Sequence, residues 1–191
     1  MNAYSFRRCD KVLILQDVIL RKADSSFAEN VAKYYLRNKD FLENFEPTRE
    51  AEFFTNAHQH ALLQQEMQQA ETKAGFRFYI FPNDAPENII GSIGLNNIVW
   101  GSFCSCFLGY KLDAQYCNRG YMTQCVSAVS HYAFAQLRLH RIEANVMPRN
   151  AASLRVLQKC GFENEGLSKR YLKIHGVWED HIHMVKLSEE Q

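Results

Sequence analysis

Hydrophobic and polar positions along the first third of the chain predict one strand followed by two helices. Apolar and β-branched residues dominate residues 12–21, which predicts a strand there. Apolar residues then recur at helical spacing behind Ser26-x-x-Glu29, the pattern of a capping box, so a helix is predicted to run to about Asn38. Thr48 is predicted to cap a longer polar helix that ends near Lys73.

The remaining two thirds alternate between strand and helix patterns. Strands are predicted over 76–81, 89–99, 103–112, 141–147, 162–174 and 177–187, and helices over 122–137 and 150–160. Gly161 follows the last helix as the expected terminating glycine, and His175-Gly176 is the expected turn between the last two strands. The element order β-α-α-β-β-β-α-β-α-β-β predicts a mixed α/β (α+β) fold with a single domain over residues 1–191.

Composition and charge narrow the class of protein. The 191 residues are 47% hydrophobic, and 22 Lys and Arg against 21 Asp and Glu give a net charge of +1. This near-balance argues against a protein that coats nucleic acid or an anionic membrane, since both need a basic excess. No apolar run reaches the roughly 18 residues of a membrane span, and no signal peptide is recognised, so a cytoplasmic location is expected.

Cysteine and histidine spacing does not indicate a metal site. The six Cys include no C-x-x-C pair and are spread through the chain, which favours free thiols over a disulfide framework. His181 and His183 share one face of a predicted strand and could bind a metal, but no third ligand is identifiable. We therefore expect no metal cofactor.

The segment with the clearest chemical meaning runs from Gly109 to Thr123. A strand ends near Leu112, a loop follows, and a helix begins just after Gly120. Such a helix start presents free backbone N–H groups and the positive end of the helix dipole, which together suit a pyrophosphate, and Arg119 adds a positive charge at the rim. The alternative is an ordinary strand-to-helix turn in which Gly120 allows close packing.

Two motifs resemble those of the GNAT superfamily of N-acetyltransferases. The loop reads Gln115-Tyr-Cys-Asn-Arg-Gly120, similar to the superfamily pattern Q/R-x-x-G-x-G/A, with Asn118 in place of the middle glycine. Asn is the residue that, after Gly, best tolerates a left-handed backbone. Residues 150–162, which read NAASLRVLQKCGF, look like the superfamily's second signature, N-x-x-S/A followed by a helix and Gly-Phe.

Longer segments resemble a narrower group, the bacterial ribosomal-protein-alanine N-acetyltransferases. These segments are residues 38–47, 140–148, 161–166 and 171–181. The resemblance implies a GNAT fold with a mixed, mostly antiparallel seven-stranded sheet whose central strands, 106–112 and 141–147, splay apart. It also implies acetyl-CoA as co-substrate, bound by Tyr110, Lys111, Leu112, Asn118, Arg119, Gly120, Tyr121, Met122, Thr123 and Asn150.

The resemblance implies direct transfer, in which an amine attacks the thioester without an acyl-enzyme. Many superfamily members place a proton-donating Tyr where this chain has Leu157, and in the ribosomal-protein group Ser153 is the implied substitute. Ser153 could equally be a helix-start hydroxyl that bonds a free N–H. Glu46 is the candidate base, and the alternative is that Glu46 is a solvated surface carboxylate.

Three functions follow as hypotheses. The first is acetylation of the N-terminal α-amino group of a protein, in particular the N-terminal alanine of a small-subunit ribosomal protein, by a monomer or homodimer that binds neither nucleic acid nor membrane. The second is acetylation of a small amine such as a polyamine, an amino acid or an aminoglycoside. The third, from another class, is a ribosome-assembly binding factor with weak catalysis.

Overall fold

The computed structural model describes residues 5–6 and 12–189, and within them nine strands form one sheet. The strands are β1 (Ser5–Phe6), β2 (Val12–Ile14), β3 (Val18–Lys22), β4 (Phe76–Pro82), β5 (Gly91–Val99), β6 (Ser105–Leu112), β7 (Arg141–Val146), β8 (Glu163–Ile174) and β9 (Val177–Leu187). They lie in the order β1-β2-β3-β4-β5-β6-β7-β9-β8, and among these neighbours only β6 and β7 are parallel. The predicted mixed, mostly antiparallel sheet is confirmed, whereas the predicted count of seven strands is wrong.

Both extra strands lie at the start of the sheet. The strand predicted over residues 12–21 is a hairpin in which β2 and β3 pair antiparallel and the Leu15 N–H donates to the Val18 carbonyl at 2.9 Å. Gln16 and Asp17 lie in the turn, where the Asn83 side chain donates to the Gln16 carbonyl at 2.9 Å. Two adjacent polar residues thus divide the apolar run. The other extra strand, β1, is a segment for which no element was predicted.

Five α-helices cover the two faces of the sheet. They are α1 (Ala28–Arg37), α2 (Lys39–Leu42), α3 (Asn56–Glu71), α4 (Tyr121–His131) and α5 (Ala151–Lys159), and a π-helical turn (Tyr132–Gln136) extends α4. The expected end of α5 is confirmed: Gly161 has a φ of +79°, and the Phe162 N–H donates to the Leu157 carbonyl at 3.0 Å.

The two capping residues predicted in the first third are wrong. Ahead of α1, the Asp24 carboxylate accepts from the Ser26 N–H at 3.0 Å and caps a short 3₁₀ turn, so no capping box forms at Ser26. Helix α3 begins after Thr55, whose hydroxyl accepts from the His58 N–H at 3.3 Å, and not after Thr48. In both cases another polar side chain, that of Asp24 or Thr55, directly precedes the turn that it caps.

The core has two parts, one on each face of the sheet. Helices α4 and α5 cover one face, where Ile93, Val126 and Leu157 are fully buried. Helices α1 and α3 cover the other face through a smaller cluster that contains Val31 and Leu63. Burial on both faces explains why the central strands read as continuous apolar runs.

Strands β6 and β7 separate partway along their length. Their parallel pairing covers only three residue pairs, from Ser105 with Arg141 to Phe107 with Glu143. Beyond Glu143, β6 continues to Leu112 and β7 to Val146 without pairing to each other. The predicted splay is confirmed. We call this opening the β6–β7 gap; it leaves backbone donors and acceptors on two facing strand edges open to another partner.

The cysteines of the described residues carry free thiols, at positions 104, 106, 117, 125 and 160. Burial raises the pKa of Cys106 to about 12, which makes it an inert core residue. The prediction for Cys9 lies outside the described residues.

Candidate active site

The predicted anion loop lies at the end of β6 and leads into α4. Asn118 has a φ of +61° and Gly120 a φ of +81°, so Asn118 adopts the left-handed conformation expected of the residue that replaces the motif's middle glycine. No side chain caps α4. The first N–H groups of the helix, which belong to Tyr121, Met122 and Thr123, therefore have neither an intrahelical acceptor nor a side-chain cap. The geometry is that of an anion-binding helix start.

Arg119 lies beside this loop, with its guanidinium carbon 5.1 Å from the centre of the Tyr116 ring. This contact holds a positive charge near the start of α4. The Met122 side chain, in contrast, is buried in the core beneath the helix, so Met122 can contribute only its backbone to the loop.

Asp113 anchors the loop and was not identified from the sequence. Its carboxylate is 2% exposed and accepts from the Arg37 guanidinium at 2.7 Å, the Asn38 amide at 2.9 Å and the Gln115 N–H at 2.9 Å. Burial alone raises the pKa of Asp113, but these hydrogen bonds and the Arg37 charge outweigh it, so the pKa is lowered. The one signal that the sequence offered is an Asp at the end of a strand. Its partners Arg37 and Asn38 could not be identified in this way, because they are about 75 positions away.

Ser153 and Tyr110 meet on the side of the sheet that α5 covers. The two hydroxyl oxygens are 2.8 Å apart, and the Tyr110 hydroxyl also donates to the Ser153 carbonyl at 3.2 Å. Asn150 caps α5, since its side-chain oxygen accepts from the Ser153 N–H at 3.1 Å. The capping role considered for the Ser153 hydroxyl is thus performed by Asn150, which leaves that hydroxyl to Tyr110.

Burial raises the pKa of Tyr110, so its phenol stays neutral and has one proton to donate. That single proton serves either the Ser153 carbonyl at 3.2 Å or the Ser153 hydroxyl at 2.8 Å. When it lies on the shorter contact, the Ser153 hydroxyl accepts from Tyr110 and keeps its own proton for another acceptor. In that arrangement Tyr110 orients the Ser153 hydroxyl.

Lys111 points to the opposite face from Tyr110, as expected for adjacent residues of a strand. Its ammonium forms an ion pair with Glu46 and donates to the Tyr35 hydroxyl at 3.1 Å. Burial alone lowers the pKa of Lys111, but Tyr35 and Glu46 outweigh it, so the pKa is raised and Lys111 stays charged. Glu46 also lies 3.8 Å from the Arg49 guanidinium. Its side chain is 15% exposed, so Glu46 is not the solvated surface carboxylate that was the alternative.

The structure therefore divides the predicted residues between two sides of the β6–β7 gap. Tyr110, Asn150, Ser153 and the start of α4 lie on the α5 side. Lys111 and Glu46 lie on the α1 side, where the Glu46 carbonyl also accepts from the His175 N–H at 3.3 Å. The predicted acid and the predicted base are on opposite faces of the sheet.

A row of polar side chains that the sequence did not reveal crosses β7, β9 and β8. His183 Nδ1 lies 2.8 Å from the Glu143 carboxylate, and His183 Nε2 lies 2.6 Å from the Ser168 hydroxyl. The Tyr171 ring packs edge-on against the His183 ring with centres 5.1 Å apart. The neighbouring His181 is 2% exposed and lies 3.0 Å from its own strand's Glu179 carbonyl. Within residues 12–189 no cluster of side chains suited to a metal ion is found.

Asn145 links this row to the gap. Its amide donates to the Tyr171 hydroxyl at 3.2 Å, while its side-chain carbonyl oxygen is buried and has no hydrogen-bond partner in the described part of the chain. Asn145 lies in the part of β7 that no longer pairs with β6. A strand edge beside the gap thus carries an unused acceptor.

A parallel strand pair that splays beside an uncapped helix start offers one ligand both open backbone hydrogen-bonding groups and an anion site. The chain belongs to the GNAT acetyltransferase family: the sequence profile described as "Acetyltransferase (GNAT) domain" matches residues 17–163. It is accordingly an N-acetyltransferase, as the names of its relatives also indicate.

Two curated relatives span most of the chain. Probable N-acetyltransferase YjcK of Bacillus subtilis is 38% identical over 86% of this chain and 90% of its own. The [ribosomal protein uS5]-alanine N-acetyltransferase of Escherichia coli is 35% identical over 90% of this chain and 89% of its own.

Two solved structures share the fold. The ribosomal-protein-S5-alanine acetyltransferase of Vibrio fischeri superposes with a TM-score of 0.90 at 34% identity and covers 94% of this chain and 97% of its own. RimJ of Mycobacterium smegmatis, solved in complex with CoA-disulfide, superposes with a TM-score of 0.85 at 27% identity and covers 94% of this chain and 86% of its own. The expected GNAT fold is confirmed.

None of the helices in residues 12–189 has both the length and the apolar character that a membrane crossing requires.

Proposed function

We propose that the protein transfers the acetyl group of acetyl-CoA to the N-terminal α-amino group of a protein, by direct attack in a ternary complex. The observation that carries this proposal is the β6–β7 gap, which opens toward the uncapped start of α4. The complex of the M. smegmatis relative with CoA-disulfide supports the choice of co-substrate.

The loop fits the diphosphate of acetyl-CoA. Left-handed backbone at Asn118 and Gly120 turns the chain so that successive N–H groups face one side, and the helix dipole favours a negative charge there. The proposed contacts are the backbone of residues 118–123 and the guanidinium of Arg119. A Cβ built on Gly120 meets no atom within 4 Å, so φ, and not lack of space, requires the glycine.

The pantetheine arm would lie in the gap, where the backbone groups of Tyr110 and Leu112 face away from β5 and can bond its amides and polarise the thioester carbonyl. Acetyl-CoA supplies an acetyl group on a thiolate leaving group. On the α5 side, Asn150 closes the site and Ser153 donates a proton to the leaving sulfur, with its hydroxyl oriented by Tyr110. Since a thiol has an ordinary pKa near 8.5, this donation needs only a modest acid.

The acceptor would enter from the opposite face, where Lys111 and Glu46 form their ion pair. Glu46 as the base stays a prediction. The Glu46 carboxylate forms an ion pair with Lys111 and lies 3.8 Å from the Arg49 guanidinium.

We infer an N-terminal alanine of a small-subunit ribosomal protein as the acceptor. The names of the E. coli and V. fischeri relatives, at 35% and 34% identity over most of the chain, support this choice. The net charge of +1 offers little bulk attraction to RNA, so a local groove would have to recognise the acceptor.

The test follows thiol release from acetyl-CoA with a peptide that begins with alanine. The matched control is the same peptide with its N-terminus already acetylated, which should release no thiol. Peptides that begin with Ser or Met, together with spermidine and free alanine, complete the set. Turnover of a small amine without turnover of any peptide would contradict the proposal and favour the small-amine hypothesis. Failure to bind acetyl-CoA would favour the assembly-factor hypothesis.

A further inference from the structure

The side-chain row on β7, β9 and β8 provides a proton acceptor that the reaction requires. Resting on the function proposed above, we infer that His183 is the general base that takes the proton of the acceptor's ammonium, with Glu143 and Ser168 as its positioning residues.

Only Nε2 of a neutral His183 can accept a proton. An ionised carboxylate only accepts hydrogen bonds, so Glu143, 2.8 Å from Nδ1, requires the proton of a neutral His183 to lie on Nδ1. Nε2 then carries a lone pair and accepts from the Ser168 hydroxyl at 2.6 Å. Ser168 is half-buried on the edge strand β8, so an amine or a water can replace its hydroxyl at Nε2.

His183 lies close to the β6–β7 gap. Its register partner on β7 is Asn145, which lies in the segment that no longer pairs with β6. Directly opposed residues in an antiparallel pair have Cβ atoms about 4.5–5.5 Å apart on the same face. His183 is therefore one strand from the gap.

His183 and Ser153 lie on opposite faces of the sheet. Phe107 and Glu143 are register partners in the parallel pair, so Lys111, four residues beyond Phe107, and Asn145, two beyond Glu143, point to the same face. His183 shares that face with the Lys111–Glu46 pair, and Ser153 lies on the opposite one. A thioester in the gap would thus have the base on one side and the proton donor for the leaving group on the other.

One ammonium N–H bond breaks and its proton goes to His183 Nε2, while the freed nitrogen lone pair forms the C–N bond. The C–S bond breaks, and its electron pair leaves on sulfur, which takes a proton from Ser153. As the amide forms, the nitrogen loses a second proton, which passes through water to Ser153 and restores its hydroxyl. Glu143 stabilises the imidazolium, which returns its proton to water. His183 suits this role better than Glu46, whose carboxylate is already bound to cations.

Several charged and titratable groups face this histidine and bear on its pH dependence. Glu143 bonds the ring directly, and the Arg141 guanidinium binds both Glu143 at 3.3 Å and Glu165 at 2.5 Å. The Tyr171 ring packs against both histidines, with its centre 5.1 Å from that of His183 and 5.7 Å from that of His181. Lys111 and Glu46 share the face. The carboxylate that contacts His183 is thus shared with an Arg.

The experiment compares kcat/KM for the alanine peptide between about pH 6 and 9.5 in wild type, His183→Asn and the control His60→Asn, an exposed histidine on α3. We expect His183→Asn to lower kcat/KM at least about tenfold at pH 7. The loss should shrink as the pH rises through the amine's ordinary pKa near 8, because the variant can use only amine that is already neutral. The KM for acetyl-CoA should not change, and His60→Asn should match wild type.

Glu143→Gln should show a smaller loss with the same pH dependence, since it removes the carboxylate that sets the tautomer. If His183→Asn unfolds, the inference is tested with Glu143→Gln and Ser168→Ala instead. A wild-type profile in His183→Asn would overturn the inference, and the expected profile in Glu46→Gln instead would assign the base to Glu46. If wild type acetylates only a small amine, the proposed acceptor is wrong, and the same profiles run with that amine still test His183.

Discussion

Asp113 makes a buried connection between α1 and the anion loop, and its replacement by Asn should be measurable in both stability and cofactor binding. Asn is isosteric and keeps one oxygen for the Gln115 N–H. Its amide nitrogen replaces the oxygen that accepts from Arg37 and Asn38, so donors face donors there. The carboxylate is 2% exposed, and water cannot easily compensate for the change.

The size of the effect follows from the two lost bonds. The Arg37 side chain is 41% exposed and can turn to water, so its loss costs at most about 1 kcal/mol. Asn38 is 3% exposed, and a buried donor without an acceptor costs about 1–3 kcal/mol. We expect Asp113→Asn to lower the free energy of unfolding by about 3 kcal/mol at pH 7, and Tm by roughly 6–12 °C for a chain of this length.

The pH dependence gives a sharper test. The folded-state pKa of Asp113 lies below its unfolded value near 3.9, so the carboxylate's contribution is fully present above about pH 4–5 and is lost as the pH falls through the folded-state pKa. Urea unfolding followed by circular dichroism should show wild type and Asp113→Asn converging as the pH is lowered toward about 3. Asp84→Asn, at an exposed Asp, is the control and should match wild type at every pH.

Two outcomes would refute this reasoning. One is a stability difference between wild type and Asp113→Asn that stays constant as the pH is lowered, which would mean that the carboxylate charge does not cause the difference. The other is a loss no greater than that of Asp84→Asn. Because Asp113 also positions the loop before α4, the KM for acetyl-CoA should rise in Asp113→Asn, and an unchanged KM would separate the anchor from the proposed diphosphate site.

Two further predictions concern the gap itself. Gly120→Ala and Gly101→Ala impose the same left-handed strain, of about 1–2 kcal/mol, at sites where a Cβ meets nothing within 4 Å. Both variants should therefore lose similar stability, but only Gly120→Ala should raise the KM for acetyl-CoA. An equal KM in both variants would show that Gly120 is not part of the acetyl-CoA site. Tyr110→Phe and Ser153→Ala should each lower kcat about tenfold. The kcat of the double variant should equal that of Ser153→Ala, since Tyr110 acts through Ser153. Additive losses of kcat in steady-state kinetics would contradict this dependence of Tyr110 on Ser153.

Local rules succeeded where one short segment controls the outcome. The glycine that ends α5 and the left-handed Asn118 follow from backbone conformations that only a few residue types adopt. Local rules failed at Ser26 and Thr48, because each segment holds several residues able to cap a helix and the pattern does not distinguish them. The structure places the caps at Asp24 and Thr55.

By itself, therefore, the sequence determined most of the order of elements and the motif loop, since hydrophobic period and turn conformation are local properties, while its resemblance to known motifs indicated the family. Only the tertiary structure decided which side chains meet. His183 and Glu143 are 40 positions apart, and Tyr110 and Ser153 are 43 apart. Their contacts depend on β9 lying between β7 and β8, and on α5 crossing the end of β6. Strand order is set by the packing of the whole sheet, so no local pattern could reveal the proposed base or the orientation of the proposed acid.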